Sequence, residues 1–312
     1  MLNLLIAGAL LAAPALTEPV STDIELAAQP APLHGTFLAP RGPARAAAVI
    51  IPGSGPTDRD GNSPLGVTGG VLRQLAEGLA ARGVATIRID KRGIAASAAA
   101  GFDESKLTFD AYVDDARAWA ADAAARSGRP CAWLIGHSEG ALVVLLASAD
   151  NPGVCGVVLL SPVGRKAGEE IRAQLAVALP DAMKPAAFAA LDDLEAGRTT
   201  PSVPGLEALF RPSVQPYLIS YIARDPVALV AAYPGPVLIG HGSTDVQVTP
   251  DNAERLAAAQ PDAVKVIFEG VNHVLRQAPA DRAANLATYG NAALPLDPAI
   301  TPAVADFILR DR

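Results

Sequence analysis

Cys131-Ala-Trp-Leu-Ile-Gly-His-Ser-Glu-Gly-Ala-Leu-Val-Val-Leu-Leu146 is the stretch from which the fold can be read. Its first five residues are apolar, β-prone and too few for a helix, which predicts a buried strand. Gly136-His-Ser-Glu-Gly140 follows, and the spacing after it predicts a helix over Glu139 to Ala149. G-x-S-x-G between a strand and a helix is the pattern of a nucleophile elbow. The reason is steric: the serine occupies the tip of a very tight turn, and small residues two positions either side let the turn close. The helix start then aims free N–H groups at any negative charge that develops beside the serine.

The same rhythm runs outward in both directions. Ala46-Ala-Ala-Val-Ile-Ile51, Ala85-Thr-Ile-Arg-Ile-Asp90 and Val157-Val-Leu-Leu160 read as strands. Gly70 to Arg82 reads as a helix, with Val71, Leu72, Leu75 and Leu79 at helical spacing, and so does Thr108 to Arg126 behind a threonine cap. Alternating strands and helices predict a mostly parallel sheet with helices on both faces. Upstream, Ile24-Glu-Leu and Leu33-His-Gly-Thr-Phe-Leu can form a hairpin. The alternation stops at 164–233, a stretch of helical runs and prolines, and resumes with Pro236–Gly240, Asp251–Ala259, Val264–Phe268 and Pro302–Leu309. Residues 164–233 are therefore expected as a helical cap insertion over the strand ends, within one domain covering 16–312.

Composition narrows the function classes. The chain has 312 residues, a net charge of −7 and half its residues hydrophobic. That gives a full core and no basic face for nucleic acid. No later stretch is long and apolar enough to span a bilayer. Residues 1–15 carry an apolar run ending in Ala13-Pro14-Ala15, an A-x-A cleavage pattern, though no Lys or Arg precedes the run. Read as a signal peptide, it places the mature chain in the periplasm or outside the cell; read as a buried helix, it leaves the chain in the cytoplasm. Cys131 and Cys155 each open a strand-like run, and the two runs flank one helix. A disulfide and two separate buried thiols are both compatible with that placement. Oligomeric state is not legible.

A serine hydroxyl needs a base to become a nucleophile. Of four histidines, His137 neighbours the serine and points elsewhere, His34 precedes the parallel sheet, and His241 ends a strand, where lining the pocket floor or rim and satisfying local backbone are the two readings, the second favoured. His273 remains, in Gly270-Val-Asn-His-Val after the last strand. An orienting carboxylate is expected one β-α unit earlier, and Asp245 stands there in His241-Gly-Ser-Thr-Asp-Val. The backbone N–H groups of Ser54, in Pro52-Gly-Ser-Gly, and of Glu139 are the expected oxyanion donors. A bare Glu139 carboxylate beside a developing oxyanion would oppose reaction. A cation is therefore expected to hold it, Arg92 first and Arg59 second.

Gly53-Ser-Gly-Pro-Thr-Asp-Arg-Asp-Gly61, Asp90-Lys-Arg-Gly93 with Ser97, the elbow, Arg211-Pro-Ser-Val-Gln-Pro-Tyr217 and Gly242-Ser-Thr-Asp-Val-Gln-Val248 together resemble one group of bacterial α/β-hydrolases. That group is esterase- or carboxylesterase-like and related to serine aminopeptidases and dienelactone hydrolases. The similarity runs from about Gly35 to the C-terminus, and Ser-Asp-His is the triad order of that fold. Ala141, where a second glycine is common, and Ile94-Ala-Ala before Ser97 depart from the pattern without touching the triad. The resemblance implies an α/β-hydrolase fold and a metal-independent hydrolase with a helical cap that needs no cofactor. It does not fix the substrate, for which a small-molecule ester is the expectation because its alkoxide leaves more readily than an amide nitrogen. An aminopeptidase would need an anionic pair for an ammonium group, for which Glu169, Glu170, Glu195 and Glu207 are the candidates. A silent binding protein on the same fold is the third reading. The scattered histidines lack metal-ligand spacing, and Pro56 after Gly53-Ser-Gly spoils a dinucleotide-binding turn.

Overall fold

Alternate residues of one apolar strand feed two different cores, and that division sets the layers of the fold. In β3 (Ala46–Ile51), Ala47, Val49 and Ile51 face one hydrophobic cluster, while Ala46, Ala48 and Ile50 face another. A strand buried on both faces has no polar side to show, which is why its sequence shows no alternation. The structure is a computed structural model that describes residues 19–101 and 103–310. The expected signal segment, 1–15, lies outside the described residues.

Eight strands form one sheet in the order β1-β2-β4-β3-β5-β6-β7-β8. The expected hairpin is β1 (Val20–Leu26) with β2 (Leu33–Ala39), and β2 also pairs antiparallel with β4 (Val84–Ile89). From β4 onward every pairing is parallel, through β3, β5 (Ala132–His137), β6 (Val154–Leu160), β7 (Val237–Gly242) and β8 (Val264–Phe268). The register sets Ile51 opposite Gly136, Gly136 opposite Leu159, and Leu160 opposite Gly240. The loops after β3, β5, β7 and β8 therefore leave the sheet along one edge.

Helix α1 (Val71–Ala81) covers one face; α2 (Phe109–Ser127) and α3 (Glu139–Ser148) cover the other. Thr108 occupies the N-cap of α2, yet its hydroxyl makes no capping bond. The Phe109 N–H donates instead to Ser220 Oγ at 2.8 Å, so the cap arrives from a distant part of the chain. Between β6 and β7 the described residues form α4 (Ala167–Ala178), α5 (Lys184–Glu195), α6 (Glu207–Phe210), α7 (Gln215–Ile222) and α8 (Pro226–Ala232), and no strand. Next come α9 (Asp251–Ala259), a short α10 (Arg282–Ala287) that sequence periodicity does not announce, and α11 (Ile300–Leu309), which packs with α1.

At the opposite edge from those loops, Cys131 and Cys155 are joined as a disulfide with Cα atoms 5.4 Å apart. The parallel pairing of β5 with β6 brings their starts level, which the sequence alone leaves open. The bridge closes a loop 24 residues apart in sequence. By chain-entropy reasoning this restricts the unfolded chain by about 3 kcal/mol. Without reductant, both sulfurs should resist alkylation after denaturation, and C131S/C155S should melt several degrees lower. Two alkylated thiols in oxidatively prepared protein would contradict the bridge.

Candidate active site

Ser138 holds a backbone conformation of φ 53° and ψ −120° at the junction of β5 and α3. A non-glycine residue at positive φ is costly, and it persists where the surroundings fix it. Here the Ser138 N–H donates to Leu160 O at 2.9 Å, and helix α3 is buried along nearly its whole length. The flanking glycines are obligatory, since a Cβ on Gly136 would sit 2.2 Å from the Gly140 carbonyl oxygen.

The loops after β5, β7 and β8 bring the three expected side chains together. His273 Nε2 lies 3.0 Å from Ser138 Oγ, and His273 Nδ1 lies 2.8 Å from Asp245 Oδ2. All three residues are buried. The other carboxylate oxygen, Oδ1, accepts the Gln247 and Val248 N–H groups at 2.9 Å each. Burial by itself pushes the Asp245 carboxyl up. The adjoining His273 and His241 outweigh it and hold the acid well below the usual carboxylate range. It is therefore ionised whenever His273 takes up a proton, and it fixes which ring nitrogen carries hydrogen.

The remaining histidines support this arrangement. His241 Nε2 lies 2.8 Å from Val248 O and 3.4 Å from Asp245 Oδ2, so it serves local backbone and steadies the acid. His137 reaches the carbonyl of His273 at 2.8 Å through Nε2 and ties the base loop to the elbow. Sequence reasoning gave His137 no such part. It also passed over Arg276, fully buried, whose guanidinium donates to the Thr288, Tyr289 and Asn291 carbonyls at 3.1–3.3 Å and to that of Thr68. Those bonds anchor the turn that carries His273.

Glu139 has a cation partner, but it is neither of the expected ones. Lys91 Nζ lies 3.1 Å from Glu139 Oε1, with both side chains almost wholly buried. Lys91 faces the elbow, while Arg92, in the turn that follows β4, reaches Asp115 on α2 at 2.7 Å. Arg59 clamps Asp90 with Nε at 2.9 Å and Nη2 at 2.7 Å, and so staples the loop after β3 to the end of β4. The letters Asp90-Lys-Arg place two cations side by side and do not say which of them faces the elbow.

Above Ser138 lies a cavity of about 550 Å³ whose lining includes Ser54, Glu139, Tyr112, Tyr217 and Tyr221, with cap residues Ile171, Leu175 and Leu209 as its roof. Burial, and then the Glu139 carboxylate, push all three phenols up, so they stay neutral hydroxyls. Of the carboxylates facing the cavity, Glu139 is paired with Lys91 and Glu104 with Arg211; Glu170 lies 3.3 Å from Arg165 without a hydrogen bond to it, and burial pushes its carboxyl up. Glu169, Glu195 and Glu207 are exposed and build no anionic pair there. Among the described residues, no group of His, Cys, Asp or Glu is arranged to hold a metal ion.

The His137 contact generates a pH prediction. Burial and the neighbouring His273 push the His137 imidazole down to about 4, from an ordinary 6.5. The unfolded chain thus takes up a proton before the folded one does. The stability that the neutral ring supplies is whole above pH 6.5 and drains away as pH falls towards 4, by up to about 3 kcal/mol. His137→Gln keeps a donor and cannot titrate. Urea unfolding should therefore show a flatter acid limb for H137Q than for the wild type between pH 7 and 4.5; parallel limbs would contradict it.

Comparisons with known proteins agree with this architecture. The model of the family described as serine aminopeptidase, S33, matches residues 65–198, a segment that contains Ser138 and ends before Asp245 and His273. No match to a curated protein was found. Among solved structures, the chain is similar to Est1E from Butyrivibrio proteoclasticus, with 19% identity and a TM-score of 0.61 over 92% of this chain and 97% of that one. The esterase domain of a Rhodothermus marinus protein gives 18% identity and 0.55 over 93% and 98%. A puromycin-hydrolyzing peptidase from Mycobacterium tuberculosis gives 22% and 0.53, over 82% of this chain and 36% of that one. With the sheet order and the elbow in agreement with these structures, the chain has the α/β-hydrolase fold.

Proposed function

We propose that the protein is a serine esterase that cleaves carboxylic esters of short to medium acyl chains. The observation that carries this reading is the continuous relay from Ser138 Oγ through His273 to Asp245, opening into a roofed, mostly apolar cavity. In the reaction His273 Nε2 takes the Ser138 hydroxyl proton as the oxygen attacks the ester carbonyl. Asp245 stays ionised and stabilises the imidazolium. The imidazolium then returns the proton to the leaving alkoxide, and water repeats the cycle on the acyl-enzyme. No metal or cofactor enters these steps. The pairing of Glu139 with Lys91 and of Glu104 with Arg211, together with the raised carboxyl of Glu170, favours a neutral acyl group over an ammonium. The alanine-rich N-terminus and the disulfide support an exported, oxidised mature chain.

Ser138→Ala and His273→Ala should each lower kcat by roughly 10³-fold or more, Asp245→Asn somewhat less, and S138A should lose fluorophosphonate labelling. Full turnover by H273A would refute the relay.

Chain-length selectivity separates the substrate readings. The α4–α7 roof limits pocket depth, so p-nitrophenyl acetate and butyrate should be hydrolysed, with a steep fall by palmitate and little turnover of aminoacyl anilides. A kcat/KM for anilides above that for esters would move the reading to aminopeptidase, which the matched family description makes the rival. A preference for palmitate would mean that the cap opens as a lid.

A further inference from the structure

Lys91 does more than neutralise Glu139. Its ammonium, buried at the end of β4 beneath the cavity, also donates to the Gly53 carbonyl oxygen at 2.5 Å and lies 5.2 Å from the centre of the Tyr112 ring. Gly53 belongs to the loop after β3, while Glu139 is the first residue of α3. One cation therefore joins the two segments that flank the nucleophile.

The peptide between Gly53 and Ser54 is planar and trans, so its C=O and N–H point in opposite directions. With the carbonyl fixed on Lys91, the Ser54 N–H points away from Lys91. Gly53 packs directly against the elbow: a Cβ there would lie 3.2 Å from Ser138 Cβ. Among the described residues neither the Ser54 N–H nor the Glu139 N–H has a hydrogen-bond acceptor. We propose that Lys91 is the positioning residue of the oxyanion hole: by bridging the Gly53 carbonyl and the Glu139 carboxylate it sets both the direction of the Ser54 donor and its distance from the Glu139 donor. This inference rests on the reading of Ser138 as the nucleophile. It gives Lys91, whose side chain also lines the cavity, a role in the transition state through the peptide that it orients. Glu139 keeps the ammonium from presenting a bare charge to the cavity, and Lys91 keeps Glu139 from opposing the oxyanion.

The test compares Lys91→Met with the double variant K91M/E139Q, which leaves no orphaned buried charge. Kinetics on p-nitrophenyl butyrate are set beside the affinity of an alkyl trifluoromethyl ketone, whose adduct with a serine resembles the tetrahedral intermediate. In both variants kcat should fall roughly 10²-fold, with KM changed by less than about threefold and ketone affinity falling in parallel with kcat. Recovery of wild-type kcat in K91M/E139Q would reduce Lys91 to a neutraliser of Glu139 and overturn the proposal, as would unchanged ketone affinity in K91M. S138A and H273A run in the same assay: their retained activity would sink the nucleophile assignment instead, and their inactivity beside a fully active K91M would sink only the role of Lys91. Should neither Lys91 variant fold, a structure of the wild-type ketone adduct decides. The adduct oxygen should accept from the Ser54 and Glu139 N–H groups while Lys91 stays on Gly53, and an oxygen bonded elsewhere would overturn the proposal.

Discussion

The segments around Ser138 hold that one residue in a backbone conformation it would not adopt alone. Ser138 sits at positive φ between a strand and a helix that are both buried, and its N–H is spent on Leu160 of the neighbouring strand. The cost of such a conformation, of order 1–3 kcal/mol, is met by packing that leaves no alternative. Gly136 and Gly140 pass within contact distance of each other's backbone, and Gly140 also faces the carbonyls of Ile51 and Pro52 on the adjoining strand end. The elbow thus fixes how closely β3 and β5 approach, and therefore where the loop after β3 can stand.

A second layer consists of charges buried in pairs. Asp90, Lys91 and Arg92 are consecutive, yet they grip three different parts of the molecule: the loop after β3 through Arg59, the elbow through Glu139, and α2 through Asp115. Buried pairs of this kind are weak contributors to net stability and strict about geometry, because a lone survivor of a broken pair is severely penalised. Their value here is positional. They make the end of β4 a point from which three elements take their register.

Much of this was legible in sequence. Ser138, Asp245 and His273 could be chosen because the chemistry requires each residue type after a particular strand, and the strands announce themselves as apolar runs too short for helices. Partner choice was harder. Glu139 clearly needed a cation, but whether Lys91 or Arg92 supplies it depends on which way a side chain leaves one backbone position, and composition carries no such information. His137 and Arg276 were opaque for a related reason: both act on backbone carbonyls far away in sequence, and a carbonyl leaves no mark in the letters. The Cys131–Cys155 bridge lay between these cases, since its feasibility followed from strand placement and its existence from the register of β5 on β6.

The bond from the first N–H of α2 to Ser220 changes how modular the cap can be considered. Ser220 lies on α7, and the residue it caps, Phe109, is fully buried against Tyr221 with ring centres 5.0 Å apart. Tyr112, one turn further along α2, meets Tyr217 edge-on. The interface between insertion and core is thus a shared piece of interior, in which each side completes the other's secondary structure. Excising 164–233 would uncover a greasy helix face and strip α2 of its cap, so the sheet and its helices are not independent of that segment. The first two turns of α2 therefore belong structurally with residues 164–233, and the packing unit is larger than the insertion that the sequence rhythm marks out.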